Sequence, residues 1–174
     1  MDQNSLSKYL TSPSTFVIQD VPLSEKDLET LTIFFNSNPE ITHITFKKTS
    51  FQGKHMNEAL KKLSDMKNLT DLEIESVDLS NQLDFLLIFF QKVPLLQSFS
   101  IKNCNLQDCD CTIFETIIKN NHEKLKIIDL SGNKIKSLGS NQIFLALQQN
   151  TKLLKLNLKG NDGIKDEIIS DINR

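Results

Sequence analysis

Residues 125–135 read LKIIDLSGNKI, and residues 153–161 read LLKLNLKGN, the same phrase one step later. It has apolar residues at its first, fourth and sixth positions and asparagine at its ninth. With asparagine, cysteine, threonine or valine allowed at position nine, it begins at Pro13, Ile41, Leu69, Leu96, Leu125 and Leu153, at steps of 27 to 29 residues. A unit of that length holds one strand and one helix and cannot bury its apolar side alone, so successive copies must stack. Six copies exceed the roughly three that a stacked core needs. Whatever the chain does is therefore expected to reside in a repeated surface.

Within the copy at Leu125, Ile128 and Leu130 alternate with Ile127, Asp129 and Ser131, the period of two of a strand with one buried face. The equivalent inward pairs are Phe16 and Ile18, Ile44 and Phe46, Leu72 and Ile74, Phe99 and Ile101, and Leu156 and Leu158. One shared register predicts six parallel strands. After the strands the apolar spacing changes to three and four, as in Leu28, Leu31 and Phe35, in Met56, Ala59 and Leu63, and in Leu83, Leu86 and Phe90, which predicts amphipathic helices. Ser24 before Glu25, Lys26 and Asp27 is an expected N-cap with acids in the first turn, and Ser80 stands in the same role. Asn38-Pro39 and Val93-Pro94 mark helix stops, because proline restricts the residue before it. Right-handed crossovers stack such units. The bulkier helices then lie outside, and the sheet is expected to line the inside of a short horseshoe.

Position nine is Val21, Thr49, Val77, Cys104, Asn133 and Asn161. An asparagine there is expected to turn inward and satisfy backbone groups where the strand ends. Cysteine or threonine can do part of this. Valine cannot, so the turns at Val21 and Val77 are expected either to differ or to lean on hydrogen bonds from neighbouring repeats. Residues 1–12 form the expected N-terminal cap, with Leu6, Tyr9 and Leu10 spaced as on a short helix. The single repeat domain covers 13–174, closed by a capping helix over 164–174 with Ile164, Ile168, Ile169 and Ile172 on one side.

The step of about 28 residues and the strand-plus-helix unit resemble the ribonuclease-inhibitor class of leucine-rich repeats, from residue 13 to about 172. LKIIDLSGN and LLKLNLKGN carry the resemblance most strongly, and PSTFVIQDVPL at 13–23 least. It implies an α/β solenoid, with a curved parallel sheet on the concave face and helices on the convex face. It also implies a protein-binding scaffold, as in cytosolic enzyme inhibitors, actin-capping proteins and innate-immune sensors. The Ile-, Asn- and Lys-rich wording is similar, too, to the short repeat proteins that intracellular bacterial pathogens inject into host cells. No functional residue carries over, because partner-contacting side chains in this class are not held in a motif.

Composition narrows the function classes. With 20 basic and 22 acidic residues the chain lacks the broad positive field that phosphate backbones require, so nucleic acid is not an expected partner. The N-terminus MDQNSLSKYLTSPST has neither a basic start nor a long apolar run and does not read as a secretory signal. The longest apolar run, FLLIFF at 85–90, is far short of the ~20 residues that cross a bilayer, and no membrane association is expected. Three cysteines, Cys104, Cys109 and Cys111, suit a reducing compartment, and a cytoplasmic or host-cytosolic location is expected. Asn68-Leu69-Thr70 matches a glycosylation sequon, but Leu69 opens a repeat and reads as core.

No constellation announces catalysis, and no catalytic residue is assigned. His43 falls on a strand, His55 near a helix start and His122 near a helix end, so they do not converge by spacing. Cys104, Cys109 and Cys111 lack the second, distant pair of a closed zinc site, so no metal is expected. Cys104 reads instead as an inward position-nine residue. Gly132-Asn133 and Gly160-Asn161 fall at strand-end turns, where glycine serves the backbone, and they lack a phosphate-loop pattern. No cofactor is expected.

The outward residues of the strands align into columns. Column three is Thr15, His43, Asp71, Ser98, Ile127 and Lys155. Column five is Val17, Thr45, Glu73, Ser100, Asp129 and Asn157, and column seven is Gln19, Lys47, Glu75, Lys102, Ser131 and Lys159. Asp71, Glu73 and Glu75 form an acidic ridge flanked by Lys47, Lys48 and Lys102. These columns, and chiefly His43, Thr45, Lys47, Asp71, Glu73, Glu75, Ser98, Ser100, Lys102, Asp129, Lys155 and Asn157, are the expected contact site for a folded partner protein, with the ridge as its centre. Six strands at ~4.8 Å spacing and ~15 Å long offer roughly 360 Å² in projection, against about 800 Å² per side in a standard interface. A rim of loops carrying Lys48, Asp78, Asn103 and Lys134 is expected to contribute the rest. The chain alone is expected to be a monomer that inhibits or modulates an enzyme. The competing expectation is a ligand-sensing or regulatory fragment of a larger multidomain protein.

Overall fold

The computed structural model describes residues 1–51, 55–80, 82–162 and 168–170, with the side chains of residues 3, 4, 55 and 168–170 outside the description. Among the described residues the chain is an α/β protein on one eight-stranded sheet whose strands follow chain order. These are β1 (Leu10–Ser12), β2 (Thr15–Gln19), β3 (His43–Lys47), β4 (Asp71–Glu75), β5 (Ser98–Lys102), β6 (Ile127–Asp129), β7 (Lys155–Asn157) and β8 (Ile168–Ser170). β2 to β7 are parallel, and β1 and β8 pair antiparallel at the two edges.

The alternation of apolar residues decides which face is buried. Phe16, Ile18, Ile44, Phe46, Leu72, Ile74, Phe99, Ile101, Ile128, Leu130, Leu156 and Leu158 are all at most 1 % exposed. The intervening residues stay partly or fully open, except Ser100. Among the described residues five α-helices cover the apolar face: α1 (Glu25–Ser37), α2 (His55–Leu63), α3 (Leu86–Lys92), α4 (Cys111–Lys119) and α5 (Ser137–Leu147). Each successive pair is adjacent. Aromatic rings join the layers edge to face, Phe35 of α1 on Phe16 and Phe90 of α3 on Phe99, both with centroids 5.0 Å apart.

α1 starts where its sequence predicts. Ser24 and Asp27 form a reciprocal capping box, and the helix stops at Ser37, before Asn38-Pro39. The expectation for Ser80 does not hold. The Asp78 carboxylate accepts the Ser80 hydroxyl at 2.7 Å and its N–H at 3.1 Å, a local turn that takes the capping group away. α3 begins only at Leu86, after Phe85, whose N–H donates to Asn57 Oδ1 of α2 at 3.2 Å.

All six strands end in the same turn. The residue at position eight is left-handed in every copy: Asp20 (φ 56°), Lys48 (48°), Ser76 (56°), Asn103 (55°), Gly132 (68°) and Gly160 (72°). In the first five copies its N–H donates to the position-seven carbonyl of the next repeat, as from Asp20 to Lys47 and from Gly132 to Lys159. The repeats at Val21 and Val77 therefore do not turn differently, because this backbone ladder sets the turn. Position nine adds a side-chain rung where it is polar. Thr49 Oγ1 donates to Ile18 O, Cys104 Sγ to Ile74 O, Asn133 Nδ2 to Ile101 O and Asn161 Nδ2 to Leu130 O, in each case the position-six carbonyl of the preceding repeat. The repeat at Val77, which has no polar side chain there, leans on its neighbour through the backbone, since Ser76 N–H donates to Lys102 O at 2.9 Å.

The two ends differ in how they meet expectation. Residues Gln3–Tyr9 form a short 3-10 helix that buries Leu6, and the chain then turns into β1, which carries Leu10. At the other end Ile168–Ser170 is a strand paired with β7, so the expected capping helix over 164–174 is not formed there. An edge strand offers a row of unmatched N–H and C=O groups, and pairing them outweighs the helical pattern of the isoleucines. Ile164 and Ile172 lie outside the described residues.

Candidate binding face

The strand register brings the expected contact residues together as the three columns. Thr15, His43, Asp71, Ser98, Ile127 and Lys155 are successive partners, as are Val17, Thr45, Glu73, Ser100, Asp129 and Asn157. In column seven Gln19, Lys47, Glu75 and Lys102 pair in register, whereas Ser131 and Lys159 fall beyond the ends of β6 and β7. No described element covers this face. At its middle lies a shallow depression of about 170 Å³, lined by His43, Thr45, Asp71, Glu73, Ser98 and Ser100 among others.

The acids of β4 are not a bare ridge. Each reaches a basic side chain on an adjacent strand: Asp71 Oδ2 to His43 Nε2 at 3.0 Å, Glu73 Oε1 to Lys102 Nζ at 2.6 Å, and Glu75 Oε2 to Lys47 Nζ at 2.9 Å. The reason is geometric, because opposed residues on neighbouring strands bring their Cβ atoms to ~5 Å, within reach of any long side chain. Partial burial pulls the Lys102 ammonium down, but Glu73, with Asp129 and Glu75 behind it, more than offsets this and holds Lys102 above its usual value. On β6, Asp129 accepts the Asn157 amide at 3.0 Å and the Ser131 N–H at 2.9 Å.

Two threonines that the column reading missed extend this network. Thr42 Oγ1 lies 2.7 Å from His43 Nδ1, and Thr70 Oγ1 donates to Asp71 Oδ2 at 2.6 Å. Both sit at position two of their repeats, and that coincidence was the available signal. The order hydroxyl, imidazole, carboxylate is that of an activated nucleophile. Here, however, the flanking N–H groups are spent within the sheet: Thr42 and His43 donate to Ser14 O, and Thr70 and Asp71 to Thr42 O. An oxyanion at Thr42 would find none of these four donors free.

The expected rim residues Lys48, Asp78, Asn103 and Lys134 are all exposed. Two hydrogen bonds from Ser80 to Asp78 hold its carboxyl below the usual range. Of the cysteines, Cys104 and Cys111 are buried and Cys109 is exposed, and burial pushes both buried thiols up to about 12. Among the described residues no group of three or more His, Cys, Asp or Glu side chains is arranged to hold a metal ion. No described helix is long and apolar enough to cross a membrane. A second concavity of about 290 Å³ lies between the ends of α3 and α4, lined by Leu87, Phe90, Pro94, Ile117 and His122 among others. The chain matches no protein-family model and no curated protein.

Proposed function

We propose that the chain is a leucine-rich-repeat solenoid that acts as a non-catalytic binding module, recognising a folded partner protein through the open, concave side of its sheet. The observation that carries this reading is the face itself. Six parallel strands in one register present polar and charged side chains in columns, with no described element laid over them. The internal pairing of the β4 acids shifts the role of that strand. Asp71, Glu73 and Glu75 hold a fixed pattern of donors and acceptors rather than a free negative charge, which favours specificity over long-range attraction. The use of the nearby N–H groups within the sheet supports a non-catalytic role. Free thiols fit action in a reducing cytosol. An inhibitor or modulator of an enzyme is the sharper form of the proposal.

The test is affinity capture with the wild type beside a Thr45→Arg, Ser98→Arg variant, with circular dichroism on both. The two arginines would fill the central depression while remaining within reach of Glu73 and Asp71, so folding is expected to survive. A specific protein held by the wild type and lost by the folded variant supports the open face. A protein held equally by both overturns it and moves the contact to the loops or helices.

A further inference from the structure

We propose that the partner docks at the β6–β7 end of the open face, through Ile127, Lys155 and Lys159, and that it presents there an acidic surface with an apolar side chain at its centre. The inference rests on the open-face reading above and adds the location of the contact and the chemistry of the partner.

Charge is divided unevenly along the chain. Residues 125–162 carry six lysines, at 126, 134, 136, 152, 155 and 159, against two aspartates, Asp129 and Asp162, for a net of +4. Residues 1–124 carry 12 lysines against 17 acids, for a net of −5. Because the strands lie side by side in chain order, this becomes a gradient along the stack of repeats, with β6 and β7 in its basic part.

Pairing sharpens the contrast. The three acids of β4 are matched by His43, Lys47 and Lys102. Asp129 is engaged by Asn157 and Ser131, and its field also bears on Lys102. Lys155 and Lys159 are exposed, and neither has a carboxylate within ion-pair distance among the described residues. Among the described residues, the column lysines that stand outside an ion pair, Lys155 and Lys159, thus both lie at one end of the face. Cationic groups so placed steer an acidic partner and orient it on arrival.

An apolar contact lies beside them. Ile127 is in register with Lys155 and 37 % exposed, and it is the one exposed large apolar side chain that the described face presents in its columns. Lys155 and Lys159 are four residues apart, roughly 13 Å at a rise of ~3.3 Å per residue. A matching surface places two carboxylates at about that separation and an apolar side chain against Ile127. Protein is favoured over nucleic acid because no Phe or Tyr ring stands in these columns, and the one imidazole there, His43, is engaged by Asp71 and Thr42 away from Lys155 and Lys159.

The experiment is a titration of the uniformly nitrogen-15-labelled full chain with an acetylated peptide of alternating Glu and Leu, followed by amide shifts at about 20 mM salt. The expected result is shifts at 127–129 and 155–159. The apparent affinity should fall roughly tenfold or more in Lys155→Glu, Lys159→Glu and again at about 0.5 M salt, where screening is strong. A Lys61→Glu, Lys62→Glu control on α2, with the same change in net charge, is expected to stay within about twofold of the wild type. No binding, or equal weakening by the α2 control, overturns the proposal. Shifts confined to β3–β5 overturn it while leaving the open-face reading standing, whereas shifts on the helices overturn both. Competition by an equimolar single-stranded DNA of the same length overturns it in favour of a phosphate ligand. Salt-sensitive self-association without peptide, seen by sedimentation, overturns it in favour of a second copy.

Discussion

The carboxamide of Asn133 reaches back one repeat to grip the backbone of Cys104, accepting its N–H at Oδ1 over 2.9 Å. The same oxygen accepts the Leu106 N–H at 3.2 Å, and Nδ2 donates to Ile101 O and Leu130 O, each at 2.8 Å. One side chain, 2 % exposed, therefore satisfies backbone groups in two successive repeats. Asn133→Ala strands these partners in the core and is expected to lower the unfolding free energy by about 3–5 kcal/mol, read from urea denaturation. Thr49 makes two longer bonds, at 3.4 and 3.2 Å, in the position that Val21 and Val77 fill elsewhere. Thr49→Val is expected to cost about 1 kcal/mol or less. Equal costs for the two substitutions would show that the shared backbone turn, not the position-nine side chain, holds the strand ends.

Asp108 caps a helix to which it does not belong. Its Oδ1 accepts the Lys136 N–H at 2.7 Å and the Gly139 N–H at 3.0 Å, at the start of α5, where the N-cap residue Lys136 supplies no side-chain bond. Asp108→Ala is expected to destabilise the protein by about 1–2 kcal/mol, as loss of an ordinary N-cap does, and Asp108→Asn by less. A thermal melt of the three proteins decides it.

His122 makes stability depend on pH. Burial holds its imidazole below the usual histidine value of 6.5, partly offset by the Val93 and Phe90 carbonyls. Nε2 lies 3.1 Å from Val93 O, and the ring packs edge-on against Phe90. The unfolded chain thus takes up the proton at a higher pH than the folded one. Protonation in that interval favours unfolding, so stability that is present above 6.5 is lost as pH falls through the folded value. The urea midpoint of the wild type is expected to drop between about pH 7 and pH 5.5, and the His122→Gln midpoint to drop less. Parallel curves for the two proteins would remove His122 as the cause.

The three thiols separate by burial. Cys109 is exposed, while burial lifts Cys104 and Cys111 to about 12 and suppresses their thiolates at neutral pH. An aromatic disulfide reagent is expected to titrate one thiol quickly in the native protein and all three in urea. Fast loss of more than one native thiol would show that the α4 end opens readily.

The alternation of Ile128 and Leu130 with Asp129, repeated at each step, was enough to identify the strands, their order and the face each residue occupies, because burial of one side of a strand is written in neighbouring residues. The Ser24 and Asp27 capping box and the Asn38-Pro39 stop were legible for the same reason, since their partners lie within a few residues. What joins repeats was not. Asp71 and His43 stand 28 positions apart, and whether the β4 acids form a free ridge or three matched pairs depends on side-chain reach across strands. The cap of α5 by Asp108 and the use of Ile168–Ser170 as an edge strand rather than a helix were likewise decided by the tertiary structure. For the β4 acids and for Asp108 the partners lie in a neighbouring repeat, some 28 to 31 positions away. The outcome turned on distances that exist only once the strands are stacked.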